Sequence, residues 1–328
     1  MFDLRLDDIT EWIRCKCFSS VAIQLPEGLK IRATEIADHI FSNTNVPVII
    51  LGDPCYGACD LYVNYKGIAD GLVHFGHSPI PSISDDKNIL FVEALADLDI
   101  RKGIRNIADA LPKKVGLLAT VQYINTLKDA KDVLEDLGKK VLIGKGDGRL
   151  KYDGQVLGCN CSAAESVADG VDCFLYIGEG DFHPLAAAFG VGKEIKVFNP
   201  ITNELRLVDD VRDRILRKRF AAIEKAKDAR SFLVIVCTKA GQRRDRVADE
   251  LIKNINSTGR KAYKTVMEEI TPDSLLAYRV DAYVNTACPR LAMDDSVRYG
   301  KPILTPPEAE VAIGLREWDD YEFDAIRD

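Results

Sequence analysis

Three cysteines stand in distinctive local sequences, one in each third of the chain. Cys59 ends a Tyr-Gly-Ala-Cys segment, Cys159 follows a glycine, and Cys288 precedes a Pro-Arg pair. If the three thirds are equivalent folding units, these thiols can converge on one point. Three thiolates around one point suit an iron–sulfur cluster in which one iron has no protein ligand. An iron with an open position can bind a substrate, so the pattern predicts an enzyme.

Two of these assignments involve a choice between neighbouring cysteines. Cys59 is preferred to Cys55 because the Gly-Ala pair before it lets the backbone approach closely. Cys159 is preferred to Cys161 because it follows the apolar pair at 156–157 most closely. The chain has no C-x2-C knuckles of a structural zinc site and no C-x3-C-x2-C run of the usual radical S-adenosylmethionine enzymes.

The other four of the nine cysteines are expected to have no role in such a site. A lone cysteine is most often a small buried hydrophobic residue, which is the interpretation of Cys173 and Cys237. Cys15 and Cys17 are interpreted as structural or incidental.

Apolar runs rich in β-branched residues alternate with helical patterns along the whole chain. The first run of each third lies at 21–25, 115–120 and 232–238, and each is followed by a helical pattern and a second strand. Short apolar strands that alternate with helices are typical of parallel sheets covered by helices on both faces. The sequence therefore predicts an α/β protein of three similar parallel-sheet domains, a triplicated unit, around a central iron–sulfur site.

The predicted domains each carry one of the three cysteines. Their ranges are 1–105 with Cys59, 106–225 with Cys159, and 226–328 with Cys288. A charged helix at 208–228 is predicted to link the second and third domains. Ligands of open parallel sheets bind at the carboxyl ends of the strands. We therefore expect each cysteine to follow a strand: 49–51, 156–157 and 282–284, respectively.

Length, net charge and cysteine count exclude several classes of protein. The chain has 328 residues, is 47% hydrophobic and carries a net charge of −7. That charge argues against a broad nucleic-acid surface, and nine cysteines are too few for a disulfide scaffold of this size. The sequence has no signal-like leader and no apolar run near the roughly 18 residues of a membrane span. We therefore expect a cytoplasmic protein without membrane or direct nucleic-acid partners.

Five segments together resemble the radical enzymes of the first step of diphthamide biosynthesis, in their archaeal homodimeric form. They are 24–29, 56–60, 158–159, 178–184 and 286–290, and the first and last are the most specific. The resemblance extends over essentially the whole chain. It implies three similar α/β domains that bind a [4Fe–4S] cluster through Cys59, Cys159 and Cys288, with no further catalytic residue.

The resemblance also implies an activity and its partners. Such enzymes transfer the 3-amino-3-carboxypropyl group of S-adenosylmethionine to a histidine carbon of translation elongation factor 2 and release methylthioadenosine. The open iron binds S-adenosylmethionine, and an electron from the cluster breaks the bond to the methionine γ-carbon. Elongation factor 2 is then the protein substrate, an external electron donor is required, and the enzyme is a homodimer.

Two loops are candidates for contacts with S-adenosylmethionine. In the first, Gln24, Pro26, Glu27 and Gly28 lie between a strand and a helix, where free backbone N–H groups can hold a carboxylate. The alternative is a helix start that binds nothing. In the second, Gly178 and His183 belong to a strand-end loop of glycines, carboxylates and one histidine that suits ligand binding.

The last third offers two more candidates. The resemblance implies that the loop at 238–242 faces the cofactor and that Gln242 binds it by hydrogen bonds. The planar guanidinium of Arg290 suits the methionine carboxylate, against the alternative of a surface salt bridge of little consequence. Asp294 and Asp295 are interpreted as capping or orienting the local structure.

Two other functions compete with this one. A quinolinate-synthase-like dehydratase also holds a three-cysteine [4Fe–4S] cluster between three domains, but it uses the open iron as a Lewis acid and forms no radical. A binding or scaffold protein with buried, unconnected cysteines would contain no iron. Segments 24–28 and 288–290 favour the radical enzyme over the dehydratase.

Overall fold

The computed structural model describes residues 2–83, 85–293 and 296–327. Asp294 and Asp295, which were predicted to orient their surroundings, lie outside the described residues. The described helices are Leu6–Lys16, Glu27–Lys30, Ala33–Thr44, Arg101–Ile107, Thr126–Asp136, Ser162–Glu165, Phe182–Val191, Asp209–Ala226, Asp245–Ser257, Pro272–Leu275, Arg290–Met293 and Pro306–Ala312. None of these helices is long and apolar enough to cross a membrane.

The described strands form three larger sheets and one short antiparallel pair. In spatial order, the first sheet contains Val48–Ile50, Val21–Gln24, Gly71–Phe75 and Ile89–Val92. The second contains Leu205–Leu207, Glu194–Phe198, Cys173–Ile177, Lys114–Ala119 and Lys140–Leu142. The third contains Lys261–Met267, Ser231–Cys237, Ala282–Asn285 and Ile303–Leu304. The short pair joins Phe2–Asp3 to Leu95–Ala96.

The three sheets share one topology. When the parallel strands of each sheet are numbered along the chain, each sheet has the spatial order 2-1-3-4. The second sheet adds an antiparallel edge strand, Leu205–Leu207. In such sheets the chain leaves the first and third strands in opposite directions, which opens a crevice at their carboxyl ends. Each sheet lies within one of the ranges 1–105, 106–225 and 226–328.

The central strands of the sheets are buried on both faces. Gly71–Phe75 and Cys173–Ile177 are buried at every position, as expected for parallel strands in an α/β protein. In the first sheet, Ile23 packs with Ile36 and Ile40 of the helix that follows. The interpretation of Cys173 and Cys237 as buried core residues is confirmed.

Two local details differ from the predictions. The pair Val156-Leu157 is not a regular strand. Gln155 forms an isolated parallel bridge with Ala119, whose carbonyl accepts from the Val156 N–H, and Leu157 and Asn160 then exchange backbone hydrogen bonds that close a tight loop. The helical pattern that begins after Pro26 is interrupted near Ile31. It gives one short helix and then Ala33–Thr44, because only the latter has a continuous buried face.

Candidate active site

The three predicted cysteines lie around one cavity of about 470 Å³, where the carboxyl edges of the three sheets meet. Cys59 and Cys159 lie in loops that follow the second strand of their sheets, whereas Cys288 follows the third strand of its sheet, Ala282–Asn285. Each of these residues is partly exposed as a whole. The structure thus brings three thiols that are far apart in sequence to the wall of one cavity.

The Cys59 loop is held from the third sheet. The Gly241 N–H donates to the Cys59 carbonyl over 3.0 Å. A Cβ atom at Gly241 would lie 2.5 Å from the Cys59 Cα. This distance is a steric clash, and a backbone atom cannot move aside as a flexible side chain could. Glycine is therefore required at this position by the close approach of two backbone segments.

The Cys159 loop is held by the end of the chain. The Ile326 N–H donates to the Cys159 carbonyl over 2.8 Å. The side chain of Asn160 donates back to the Ile326 carbonyl over 3.0 Å. Residues more than 160 positions apart thus fix this loop, which sequence spacing could not reveal.

The Cys288 loop is held by its own strand end. The Asn285 side chain donates to the Cys288 carbonyl over 2.8 Å and accepts from the Ala287 N–H over 3.0 Å. Both Asn285 and Ala287 are fully buried. These two bonds fold the backbone into a tight turn that directs it towards the cavity.

The thiols are strongly desolvated. Burial raises the pKa of Cys159 to about 12 and also raises the pKa values of Cys59 and Cys288. Hydrogen bonds from Gln242 to Cys59 and from Arg149 to Cys159 oppose this effect. The thiolate form is therefore favoured over the thiol only when positive charge enters the cavity. A bound metal centre supplies such a charge.

The type and number of the donors suit an iron–sulfur cluster. Among the described residues, the group compact enough for a single ion is Cys55, His74 and His77, whose ligand atoms lie within 4.8 Å of one another. The three cavity cysteines are not such a group. Three cysteine thiols that line one cavity are the donor set of an iron–sulfur cluster with one open iron, so these residues fit such a cluster.

Three other predicted residues also line the cavity. His183 and Arg290 lie on its wall, and the Arg290 guanidinium stacks on the Phe182 ring with 5.0 Å to its centroid. The Gln242 side chain donates to the Cys59 sulfur over 3.4 Å. Burial, with a smaller contribution from Arg290, lowers the pKa of His183 to about 4, so its imidazole is neutral at neutral pH.

The remaining predicted contacts lie outside the cavity wall. Gln24 is buried and donates to the Asp60 carbonyl over 2.8 Å, so it supports the Cys59 loop from behind. Glu27 is exposed and pairs with Lys30. Pro26, Gly28 and Gly178 do not line the cavity among the described residues. Their contact with S-adenosylmethionine stays a prediction.

Sequence reasoning missed two cations beside the site. Lys239 is buried, forms ion pairs with Asp60 and Glu269, and lies 4.8 Å from the centroid of the Tyr56 ring. Although burial opposes it, hydrogen bonds to these carboxylates raise the pKa of Lys239. Arg149 is also buried and donates to the Gly241 carbonyl over 3.0 Å. The only sequence signal was the position of Lys239 directly after a predicted strand.

Comparison with known proteins gives consistent matches over nearly the whole chain. The model of the diphthamide synthesis protein family matches residues 25–323. The 2-(3-amino-3-carboxypropyl)histidine synthase of Pyrococcus horikoshii is 40% identical over 311 residues, which are 93% of this chain and 88% of that protein. The protein of the same name from Methanocaldococcus jannaschii is 30% identical over 94% of this chain and 88% of its own length.

A solved structure is similar in fold as well. The crystal structure of Dph2 from Pyrococcus horikoshii with a 4Fe-4S cluster has a TM-score of 0.91 to this chain at 36% identity. The match covers 100% of this chain and 95% of that one.

Proposed function

The chain is an enzyme of the diphthamide synthesis protein family, and we propose that it carries out the aminocarboxypropyl transfer of that pathway's first step. The group comes from S-adenosylmethionine, and the acceptor is a histidine of translation elongation factor 2. Methylthioadenosine is the other product. One observation carries the proposal: in a chain 40% identical to a histidine synthase, cysteines from three sheets share one cavity.

The proposal includes the ligands of the cluster. Cys59, Cys159 and Cys288 bind a [4Fe–4S] cluster, which supplies an open iron for S-adenosylmethionine and an electron for its sulfonium. The three sheets are repeats of one unit, as their common strand order supports. The enzyme acts in the cytoplasm as a homodimer and takes electrons from a separate donor.

The other cavity residues orient the substrate and exclude water. Arg290 is held by its stacking on Phe182 and presents a planar cation suited to the methionine carboxylate. His183 is neutral and adds no second positive charge near the sulfonium. Gln242 donates to the Cys59 sulfur, and such hydrogen bonds favour the reduced cluster.

Product analysis after anaerobic reduction tests the proposal. We expect the reconstituted protein, given dithionite and S-adenosylmethionine, to form methylthioadenosine, which chromatography separates from other nucleosides. Elongation factor 2 should then gain the mass of one aminocarboxypropyl group on a histidine. Formation of 5′-deoxyadenosine instead, or no cleavage by a fully loaded and reducible cluster, would contradict the proposal.

Replacing Gly241 by alanine tests the packing behind Cys59. The added Cβ would lie 2.5 Å from the Cys59 Cα, so the Cys59 loop must move and we expect cluster content after reconstitution to fall by more than half. Gly67→Ala is the matched control, because nothing lies within 4 Å of a Cβ there. Iron and sulfide per chain are the measurement, and equal loading of both variants would show that the loop tolerates the shift.

A further inference from the structure

A chain of polar side chains runs from behind the Cys59 loop to the cavity. His74 Nδ1 lies 2.8 Å from Gln24 Oε1, and His74 Nε2 lies 3.0 Å from His77 Nδ1. Gln24 and His74 are buried, whereas His77 lines the cavity. The aminocarboxypropyl transfer proposed above gives these hydrogen-bonded side chains no role. What they can do depends on where their hydrogen atoms lie.

The orientation of the Gln24 amide follows from its other partners. Its nitrogen lies 2.8 Å from the Asp60 carbonyl, which can only accept. Its oxygen lies 3.1 Å from the backbone N–H of Tyr62, which can only donate. The amide oxygen therefore faces His74 and must accept a hydrogen bond from the His74 Nδ1–H.

The tautomers of both histidines follow in turn. Burial lowers the pKa of His74 well below its usual value, so this ring is neutral and its Nε2 carries a lone pair. His77 Nδ1 must then donate to that lone pair. Burial lowers the pKa of His77 to about 4, against a smaller opposing effect of the Phe75 carbonyl. Neutral His77 is left with a lone pair on Nε2.

His77 differs from His183, the other neutral histidine of the cavity, in the side chains that orient its ring. The ligand atoms of Cys55 and His74 lie within 4.8 Å of that of His77, and His183 interacts with His77 electrostatically. None of these three side chains is an anion at neutral pH. His77 has His74 and Gln24 behind it to fix its ring, which is the arrangement of an oriented general base.

We propose that His77, oriented by His74 and Gln24, accepts the proton that the target histidine carbon loses during aminocarboxypropyl transfer. This inference rests on the proposed function. The aminocarboxypropyl radical forms a C–C bond to the imidazole carbon, which still carries its hydrogen. The adduct regains its aromatic ring by losing one electron and that proton.

The electron and the proton of this step are both accounted for. The lost electron replaces the one that cleaved S-adenosylmethionine, so the transfer is redox neutral overall. The lost proton moves to His77 Nε2, and the resulting imidazolium is stabilised by its Nδ1–H bond to His74. Because rearomatisation makes this proton strongly acidic, a weakly basic imidazole is a sufficient acceptor.

The test separates cleavage of S-adenosylmethionine from modification of the acceptor. With elongation factor 2 present in excess, methylthioadenosine and modified elongation factor 2 should form in step in the wild-type enzyme. In His77→Ala and His77→Gln, we expect cluster content and methylthioadenosine formation to stay within about twofold of wild type. Modified elongation factor 2 should fall by about 100-fold or more, the usual contribution of a general base.

Two further measurements distinguish a base from a structural residue. Added imidazole should restore modification in His77→Ala but not in His77→Gln, because only the smaller side chain leaves space for the free base. His39→Gln is the control, since His39 lies on the helix Ala33–Thr44 and away from the cavity. It should match wild type in both products.

The outcomes that overturn the inference differ from those that overturn the function. Undiminished modification in both His77 variants, or an equal fall of modification and methylthioadenosine, would refute His77 as the proton acceptor. Absence of methylthioadenosine in the wild-type enzyme would instead refute the proposed function itself.

Discussion

Replacing Cys59, Cys159 or Cys288 by alanine is expected to abolish stable cluster assembly and with it the cleavage of S-adenosylmethionine. Each thiolate would bind a different iron, so the loss of one leaves a second iron without a protein ligand. The cavity is desolvated, so a second iron without a protein ligand is not stabilised there by water. Iron, sulfide and visible absorbance per chain after anaerobic reconstitution measure the effect.

Cys55→Ala and Cys161→Ala are the matched controls, because each lies within four residues of a proposed ligand. Both thiols are buried, and neither Cys161 nor its Glu165 partner lines the cavity. We expect both variants to keep the cluster. Full iron content in one of the three ligand variants would remove that cysteine from the ligand set.

Removing the buried cation Arg219 is expected to cost about 3–5 kcal/mol of folding stability, as for other broken buried ion pairs. Arg219 and Glu308 are both fully buried and form two hydrogen bonds with each other. Arg219 also donates to the carbonyls of Ala292 and Ile303. In Arg219→Met, the Glu308 carboxylate and two carbonyl groups lose their main partner in an apolar environment.

Urea denaturation followed by tryptophan fluorescence measures this effect in a Trp12→Phe background. The remaining Trp318 contacts Phe220 on the Arg219 helix, with ring centroids 5.1 Å apart. Adding Glu308→Gln to Arg219→Met should recover part of the loss, because it removes the uncompensated charge and keeps an acceptor for the Thr305 N–H.

The matched control for Arg219→Met is Arg212→Ala on the same helix. Its ion pairs with Asp209 and Asp213 are partly exposed, so it should cost less than about 1 kcal/mol. Equal losses in both variants would show that burial of the Arg219 pair adds nothing to stability.

Periodicity predicted the α/β class and the position of most strands. The apolar runs at 115–120 and 232–238 form buried parallel strands close to where they were expected, because a strand covered on both faces must be apolar at nearly every position. The strand predicted at 156–157 is reduced to an isolated bridge beside Ala119, because two residues cannot show how far a segment pairs with a sheet before it turns back on itself.

The sequence by itself determined the class of fold and singled out the cysteines, since unusual neighbours such as Gly-Ala before Cys59 or Pro289 after Cys288 are local features. Only the tertiary structure decided which side chains face the cavity. Gln24 turned out to support the Cys59 loop, and His77 turned out to end a hydrogen-bonded chain at the cavity wall. These roles depend on contacts between residues that are remote in sequence, and a pattern of neighbouring residues carries no record of such contacts.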